Sequence, residues 1–166
     1  TKDFIIVSLM NFLIYLVFFL LMVIMASYAV DKYHASTGIG GLVSGIFIIG
    51  ILIGRLGTGR IIEDVGSRRV LIVGTLLYII TSALYFAAIS LPLLILMRFL
   101  HGFAFGVANT ATGTIAAQII PHGRHGEGIG YYSMSQILAT AFGPYLGIVL
   151  SQRVDFTMIF LIATIV

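Results

Sequence analysis

The sequence contains no cysteine. That removes disulfides, thiolate zinc sites and thiol nucleophiles, and leaves the redox compartment unreadable from the residues. Tryptophan is missing too, so the eight tyrosines and the phenylalanines must fill any aromatic positions at a membrane–water boundary. Charge is scarce: Asp, Glu, Lys and Arg make up 9% of 166 residues, against roughly 25% in soluble domains. Hydrophobic residues reach 60% and the mean hydropathy is +1.13. Water is not the main solvent of such a surface. The nine Lys and Arg leave a net charge of +3, but they form no stripe dense enough to footprint phosphates, so nucleic acid is not a partner. They stand at the ends of apolar segments instead, where charge sets membrane topology.

A bilayer crossing needs about 20 apolar residues for roughly 30 Å of hydrocarbon. Runs of that kind are predicted at 4–30, 38–62, 70–91, 92–120 and 126–150, with an incomplete sixth at 156–166. The fold class predicted is therefore an all-α transmembrane bundle of five complete helices and a truncated sixth. The sixth run is too short to span, so the chain is expected to end inside a helix, as a fragment or as part of a longer protein. The first run is about twice as long as a signal-peptide core and lacks a small-residue cleavage site, which makes it a retained span.

Between the second and third runs lies GTGRIIEDVGSRRVL, 57–71, a charged and glycine-punctuated connection. Lys2, Arg55, Arg60, Arg68, Arg69 and Arg124 fall on one side of the predicted membrane, against Lys32 and Arg153 on the other. By the positive-inside rule the first side, with the N-terminus, is cytoplasmic. The connections at 31–37, 63–69, 90–92 and 121–125 are too short to hold a soluble domain, so function must lie in the helices or at their ends. Pro92 suits the first turn of a helix, where its missing N–H is not needed.

Nineteen glycines exceed what such loops require. Gly41 and Gly45, Gly50 and Gly54, Gly102 and Gly106, and Gly143 and Gly147 are each four apart, the small-xxx-small spacing that lets helix backbones approach closely. All four pairs are expected to be packing contacts, and such seams also suit helices that rock against each other. Gly126, Gly128 and Gly130 alternate with no strand before them, which argues against a nucleotide loop.

Arg98 is the charged residue placed well inside a span. An Arg near the membrane centre costs about 2.5–3.5 kcal/mol on insertion scales, and that cost marks a functional residue by default. Position alone leaves a second reading open, in which the guanidinium snorkels toward the nearer interface. At 100° per residue, Arg98, His101, Gly102, Phe105, Asn109, Thr112 and Gly113 share one face of the fourth helix. The fifth helix carries Tyr132, Ser133, Gln136, Thr140, Gly143 and Gly147 along one side, and the first carries Ser8, Asn11 and Tyr15. These lines point to one shared cavity; hydrogen bonding between helices without a cavity is the alternative. His101, of a residue type that titrates near pH 6.5, is either a proton relay or a neutral donor to a neighbouring helix. His122 and His125 flank Arg124 without a third ligand, so no metal site is expected. No serine has a His and a carboxylate at recognisable spacing, and the spans contain no carboxylate, so neither an enzyme nor a cofactor is expected.

These residues resemble the N-terminal half of a major facilitator superfamily transporter, closest to its drug/proton antiporter branch. In the loop after helix two, Gly59, Glu63, Gly66, Arg68 and Arg69 match or nearly match the family pattern, with Glu63 for the usual Asp, and Asp64 and Ser67 where basic residues are common. On helix four, Arg98, Gly102 and Ala104 in LMRFLHGFAFG fit a second motif, with His101 where Gln is frequent. On helix five, Gly143, Pro144 and Gly147 in ATAFGPYLGI match the antiporter Gly-Pro motif, while Ala139 and Ile148 replace glycines. The resemblance implies 3+3 inverted repeats within this half and a second six-helix half absent here, with substrate bound between the halves. It also implies that Glu63 holds one conformation through the other half and that Arg98 handles protons or shapes the cavity. Asn11 stands where many proton-coupled relatives have an acid.

The function expected is therefore proton-coupled efflux of small apolar or amphipathic compounds by alternating access. Substrate, proton, lipid bilayer and the second half are the expected partners, and the location is multi-pass in a bacterial plasma membrane. Its cavity or proton-handling residues would be Arg98, His101, Asn109, Gln136, Asn11, Tyr15 and Tyr132. One alternative is export of a polar or anionic metabolite, such as a sugar or chelator, with Arg98 and Gln136 as ligands. Another is a non-transporting scaffold or sensor.

Overall fold

A computed structural model describes residues 2–166. The chain runs through α1 (Lys2–Tyr33), α2 (Thr37–Val65), α3 (Ser67–Ala83), α4 (Leu91–Ile119), α5 (His125–Arg153) and α6 (Phe156–Ile165). Five helical stretches among the described residues are long and apolar enough to cross a membrane. Their outer faces are apolar as well: Ile5 is 67% exposed and Ile137 65%. Lipid or further protein, not water, suits such a surface.

Local chemistry sets the boundaries. The Ser36 hydroxyl accepts from the Ile39 amide at 3.4 Å and starts α2. Gly66, at φ +92°, turns the chain from α2 into α3 while its amide closes on the Ile62 carbonyl, a conformation that only glycine adopts easily. Pro92 lies in the first turn of α4, as its chemistry predicts. The third helix is shorter than the expected 70–91. It ends at Ala83 and tightens into a 3₁₀ turn, Leu84–Ala87, that carries Tyr85 into the interior. The chain must reverse before Leu91, and the tighter turn begins that reversal.

The helices pair in a pattern that repeats: α2 packs most extensively on α4, and α5 on α1. Exchanging the first three helices with the last three turns one pair into the other, as a 3+3 repeat requires. Both seams are glycine seams. A Cβ on Gly102 would meet the Phe47 carbonyl, and one on Gly106 would stand 2.5 Å from the Ile51 carbonyl. Across the other seam, a Cβ on Gly143 would lie 2.6 Å from Phe19 Cβ, and one on Gly147 2.7 Å from the Leu20 carbonyl. Backbones this close gain dispersion that lipid tails could not supply.

The pair Gly41 and Gly45 is the exception. A Cβ at either would meet no atom within 4 Å. The buried stripe of α2 runs Gly40, Val43, Phe47, Gly50, Gly54, Thr58, Ile62, and this 3.6-residue register leaves Gly41 and Gly45 to one side of it. Gly40 makes the contact instead, 3.1 Å from the Ala26 carbonyl of α1.

Candidate functional site

The polar line predicted along α4 is cut in two. Between Arg98 and Asn109 stands Phe105, only 1% exposed, with ring centroids of Tyr15 and Phe18 each 5.1 Å away. Phe47 stacks on Phe18 at 5.1 Å from α2. This aromatic plug separates two polar clusters whose anchors lie about 16 Å apart along the helix at 1.5 Å per residue. The single shared cavity expected from sequence is therefore replaced by two clusters within this bundle.

The first cluster, toward the Lys32 end of the bundle, is sealed. Arg98 is fully buried. Its Nε donates to the Val43 carbonyl at 3.2 Å, its Nη1 donates to Tyr85 Oη at 3.3 Å, and its guanidinium lies 4.4 Å over the Phe47 ring. The snorkelling alternative fails, because the side chain enters the core rather than the interface. His101, also fully buried, has Nδ1 2.9 Å from the same Tyr85 hydroxyl. With Arg98 donating to that oxygen, the tyrosine hydrogen is free to point at Nδ1, which leaves the ring proton on Nε2. Arg98 Nη2 and His101 Nε2 have no partner. No carboxylate neutralises Arg98: the sole ion pair among the described residues joins Arg124 and Glu127 at 2.7 Å. A cation-π contact and a carbonyl therefore take the place of a counter-ion.

The second cluster is centred on Asn11 of α1 and reaches the surface. Asn11 Nδ2 donates to Ser135 Oγ at 2.8 Å, and Asn11 Oδ1 accepts from Tyr132 Oη at 2.9 Å, Asn109 Nδ2 at 3.1 Å and Thr112 Oγ1 at 3.3 Å. Asn109 Oδ1 then accepts from Tyr15 Oη at 3.4 Å and from Arg55 Nη2 at 2.7 Å. Four helices, α1, α2, α4 and α5, are tied through one amide pair. Asn11 is 1% exposed, whereas Arg55 is an exposed residue.

Of the residues singled out in sequence, this network unites Asn11, Tyr15, Asn109 and Tyr132. Gln136 stands apart. The buried seam of α5 follows Ser135, Ala139, Gly143 and Gly147, one position away from the predicted line, so Gln136 and Thr140 are exposed and Thr140 bonds back to the Gln136 carbonyl at 2.9 Å. In the loop motif, Glu63, Asp64, Arg68 and Arg69 are exposed and a Cβ on Gly59 would meet nothing within 4 Å. Ser67 ties that loop to α4 by donating to Gln118 Oε1 at 2.9 Å.

Two residues escaped the sequence reading. Tyr85 lies in the 3₁₀ turn where a straight helix was expected, so no periodicity could aim it at Arg98. Arg55 was counted as a helix-end charge, but the ten residues of α2 that follow it, through Val65, place it about 15 Å from the end of the helix. That depth was the available signal. Among the described residues, no three His, Asp or Glu side chains converge as a metal site would need.

Comparison with known proteins decides the family. The model of the Major Facilitator Superfamily matches residues 7–166. The chain belongs to that superfamily. Its helices are those of a multi-pass membrane protein. The chain is similar to the multidrug export protein EmrB of Haemophilus influenzae, 30% identical over 105 residues, which are 63% of this chain and 21% of that protein. It is also similar to the galactose-proton symporter of Escherichia coli K12, 28% identical over 116 residues, 70% of this chain and 25% of the symporter. A third relative is multidrug resistance protein 3 of Bacillus subtilis, 23% identical over 146 residues, 81% of this chain and 28% of that protein. The chain thus spans about a quarter of the length of the curated facilitators it matches.

Proposed function

We propose that this chain is one six-helix half of a secondary transporter that exports small apolar or amphipathic compounds in exchange for protons. The Arg68 side of the bundle faces the cytoplasm in this reading. The observation that carries it is the α5 seam: Gly143 and Gly147 bring α5 onto the α1 backbone on either side of Pro144, the Gly-Pro pattern of antiporters. Pro144 removes one backbone hydrogen bond from α5 and creates a point where the helix bends. A bend above a sideless glycine contact lets α5 rock on α1 without losing the seam. Similarity to two relatives named for multidrug export and resistance supports the same direction, although a galactose-proton symporter matches comparably. Of the two ligands the polar-metabolite alternative names, Arg98 is bonded within the core and Gln136 is exposed on α5.

Arg98 is the proton-linked group in this reading. Its Tyr85 partner also contacts His101, so any change in the protonation of His101 alters the hydrogen bond that holds the guanidinium. The test is the complete protein in sealed vesicles with an imposed pH gradient, monitored by a pH-sensitive dye. Adding a transported amphipathic compound should collapse the gradient, and R98A should abolish that response. Undiminished gradient-driven movement in R98A removes Arg98 from coupling; solute movement indifferent to the gradient removes protons from the mechanism.

A further inference from the structure

The helices of this half contain two charges deep in the bundle, Arg55 and Arg98, and both are guanidinium groups. All six acids lie at the ends of elements: Asp3, Glu63, Asp64 and Glu127 in first or last turns, Asp31 near the end of α1, and Asp155 at the start of α6. The two cations differ in what they can touch. Arg98 is spoken for and sealed. Arg55 is exposed within α2, ahead of the charged turns that close the helix, and an exposed guanidinium in an apolar helix is stable only where water or polar groups reach it. Its surroundings outside this half must be polar.

Only Nη2 of Arg55 is engaged, by Asn109 Oδ1 at 2.7 Å. That oxygen belongs to an amide whose other end is held by Asn11, itself held by Ser135, Thr112 and Tyr132. The guanidinium is therefore positioned by a network spanning four helices. Beside it, Tyr15 bonds to the same Asn109 oxygen, and Tyr15 stacks on the half-buried Phe19 at 6.0 Å and meets Phe18 edge-on at 6.3 Å. A fixed fork of N–H donors next to an aromatic wall is complementary to a flat apolar body carrying one carboxylate or similar oxyanion.

Resting on the export reading above, we propose that Arg55 is the substrate-binding cation of this transporter and that its cargo is an amphipathic organic anion. The oxyanion takes the free edge of Arg55, the apolar body lies on the half-buried Phe18 and Phe19 beside the buried Tyr15, and Asn109 positions the guanidinium. The uncompensated positive charge of the half selects anions over cations of the same shape.

Equilibrium binding to the purified complete protein tests this without any gradient, using naphthalene-2-carboxylate, the neutral naphthalene-2-carboxamide and the cationic naphthalen-2-ylmethylammonium. The expected order is carboxylate tightest, by at least about tenfold over the other two. R55Q should lower carboxylate affinity about tenfold or more and leave the carboxamide unchanged, while R55K, which keeps the charge but loses the fork, should cost the carboxylate a few-fold. If R55Q does not assemble, R55K and N109A, which frees the guanidinium from its orienting bond, carry the test through the same carboxylate-only loss. Equal or weaker binding of the carboxylate overturns the proposal, as does carboxylate affinity indifferent to Arg55, the result expected if Arg55 instead pairs with an acid of the rest of the protein. A protein that moves other solutes but binds no carboxylate overturns it too. Because no proton gradient enters the measurement, these outcomes are independent of whether transport is proton-coupled.

Discussion

Helix α4 carries two polar clusters built by opposite means. At its Leu91 end, Arg98 and His101 are fully buried, share one tyrosine hydroxyl, and leave one nitrogen each without a partner. One and two turns beyond Phe105, Asn109 and Thr112 join a hydrogen-bonded network that ends on an exposed arginine. The first holds a charge closed off inside the bundle, and the second ends on a charge exposed at its surface. Along α4, then, burial divides the clusters: Arg98 of α4 touches only its neighbours in the core, while Arg55 of α2, bonded to Asn109, stays exposed.

Breaking the sealed cluster should have the largest effect. R98A leaves Tyr85, His101 and the Val43 carbonyl around an empty space, and gradient-driven transport by the complete protein should fall about 100-fold, which is about 2.7 kcal/mol. Retention of most transport would make the cluster purely architectural. The seam beside it comes next. Gly102→Ala drives a methyl into the Phe47 carbonyl, and a clash against backbone should destabilise the bundle by about 1–3 kcal/mol in a chemical unfolding titration. An unchanged midpoint would mean that α2 and α4 do not pack this tightly.

The open cluster should respond more mildly. Asn11→Ala unties Ser135, Tyr132 and Asn109 at once, for an expected loss of about 1–2 kcal/mol by the same titration. The comparison sharpens further with Tyr85→Phe, which removes only the hydroxyl that Arg98 and His101 share. Stability should drop by about 1 kcal/mol, while the pH profile of transport changes shape; a uniform loss at every pH would assign Tyr85 to packing alone. Smallest of all, Gly45→Ala should shift the midpoint by less than about 0.5 kcal/mol, since nothing within this half faces it. A large effect there would mean that another part of the protein packs on that face.

Much of this was legible in the sequence because lipid enforces simple rules. The spans, the glycine-punctuated connection at Gly66 and three of the four glycine pairs follow from hydropathy and spacing. The behaviour of the fourth pair was not, because Gly41 and Gly45 obey the spacing while lying off the buried register that Gly40, Val43 and Phe47 establish. Helical phase also misplaced Gln136 by one position. The contents of the polar line on α4 were visible, but its division was not: Phe105 shares the face, and only its ring contacts with Tyr15 and Phe18 turn it into a plug. Tyr85 was out of reach for a different reason, since a 3₁₀ turn changes the angular step on which every face prediction depends.

The claim on which this account rests is that one α4 cluster is sealed and the other opens to water. This sequence contains no cysteine, so single R55C and H101C substitutions in a complete protein cleared of any other thiols report access at each cluster without background from these helices. A membrane-impermeant methanethiosulfonate reagent should modify R55C readily, and the anion naphthalene-2-carboxylate should slow that reaction no further than general crowding does, since the guanidinium is gone. H101C should stay unmodified over the same period. Comparable modification of both positions, or protection of R55C together with labelling of H101C, would contradict the division.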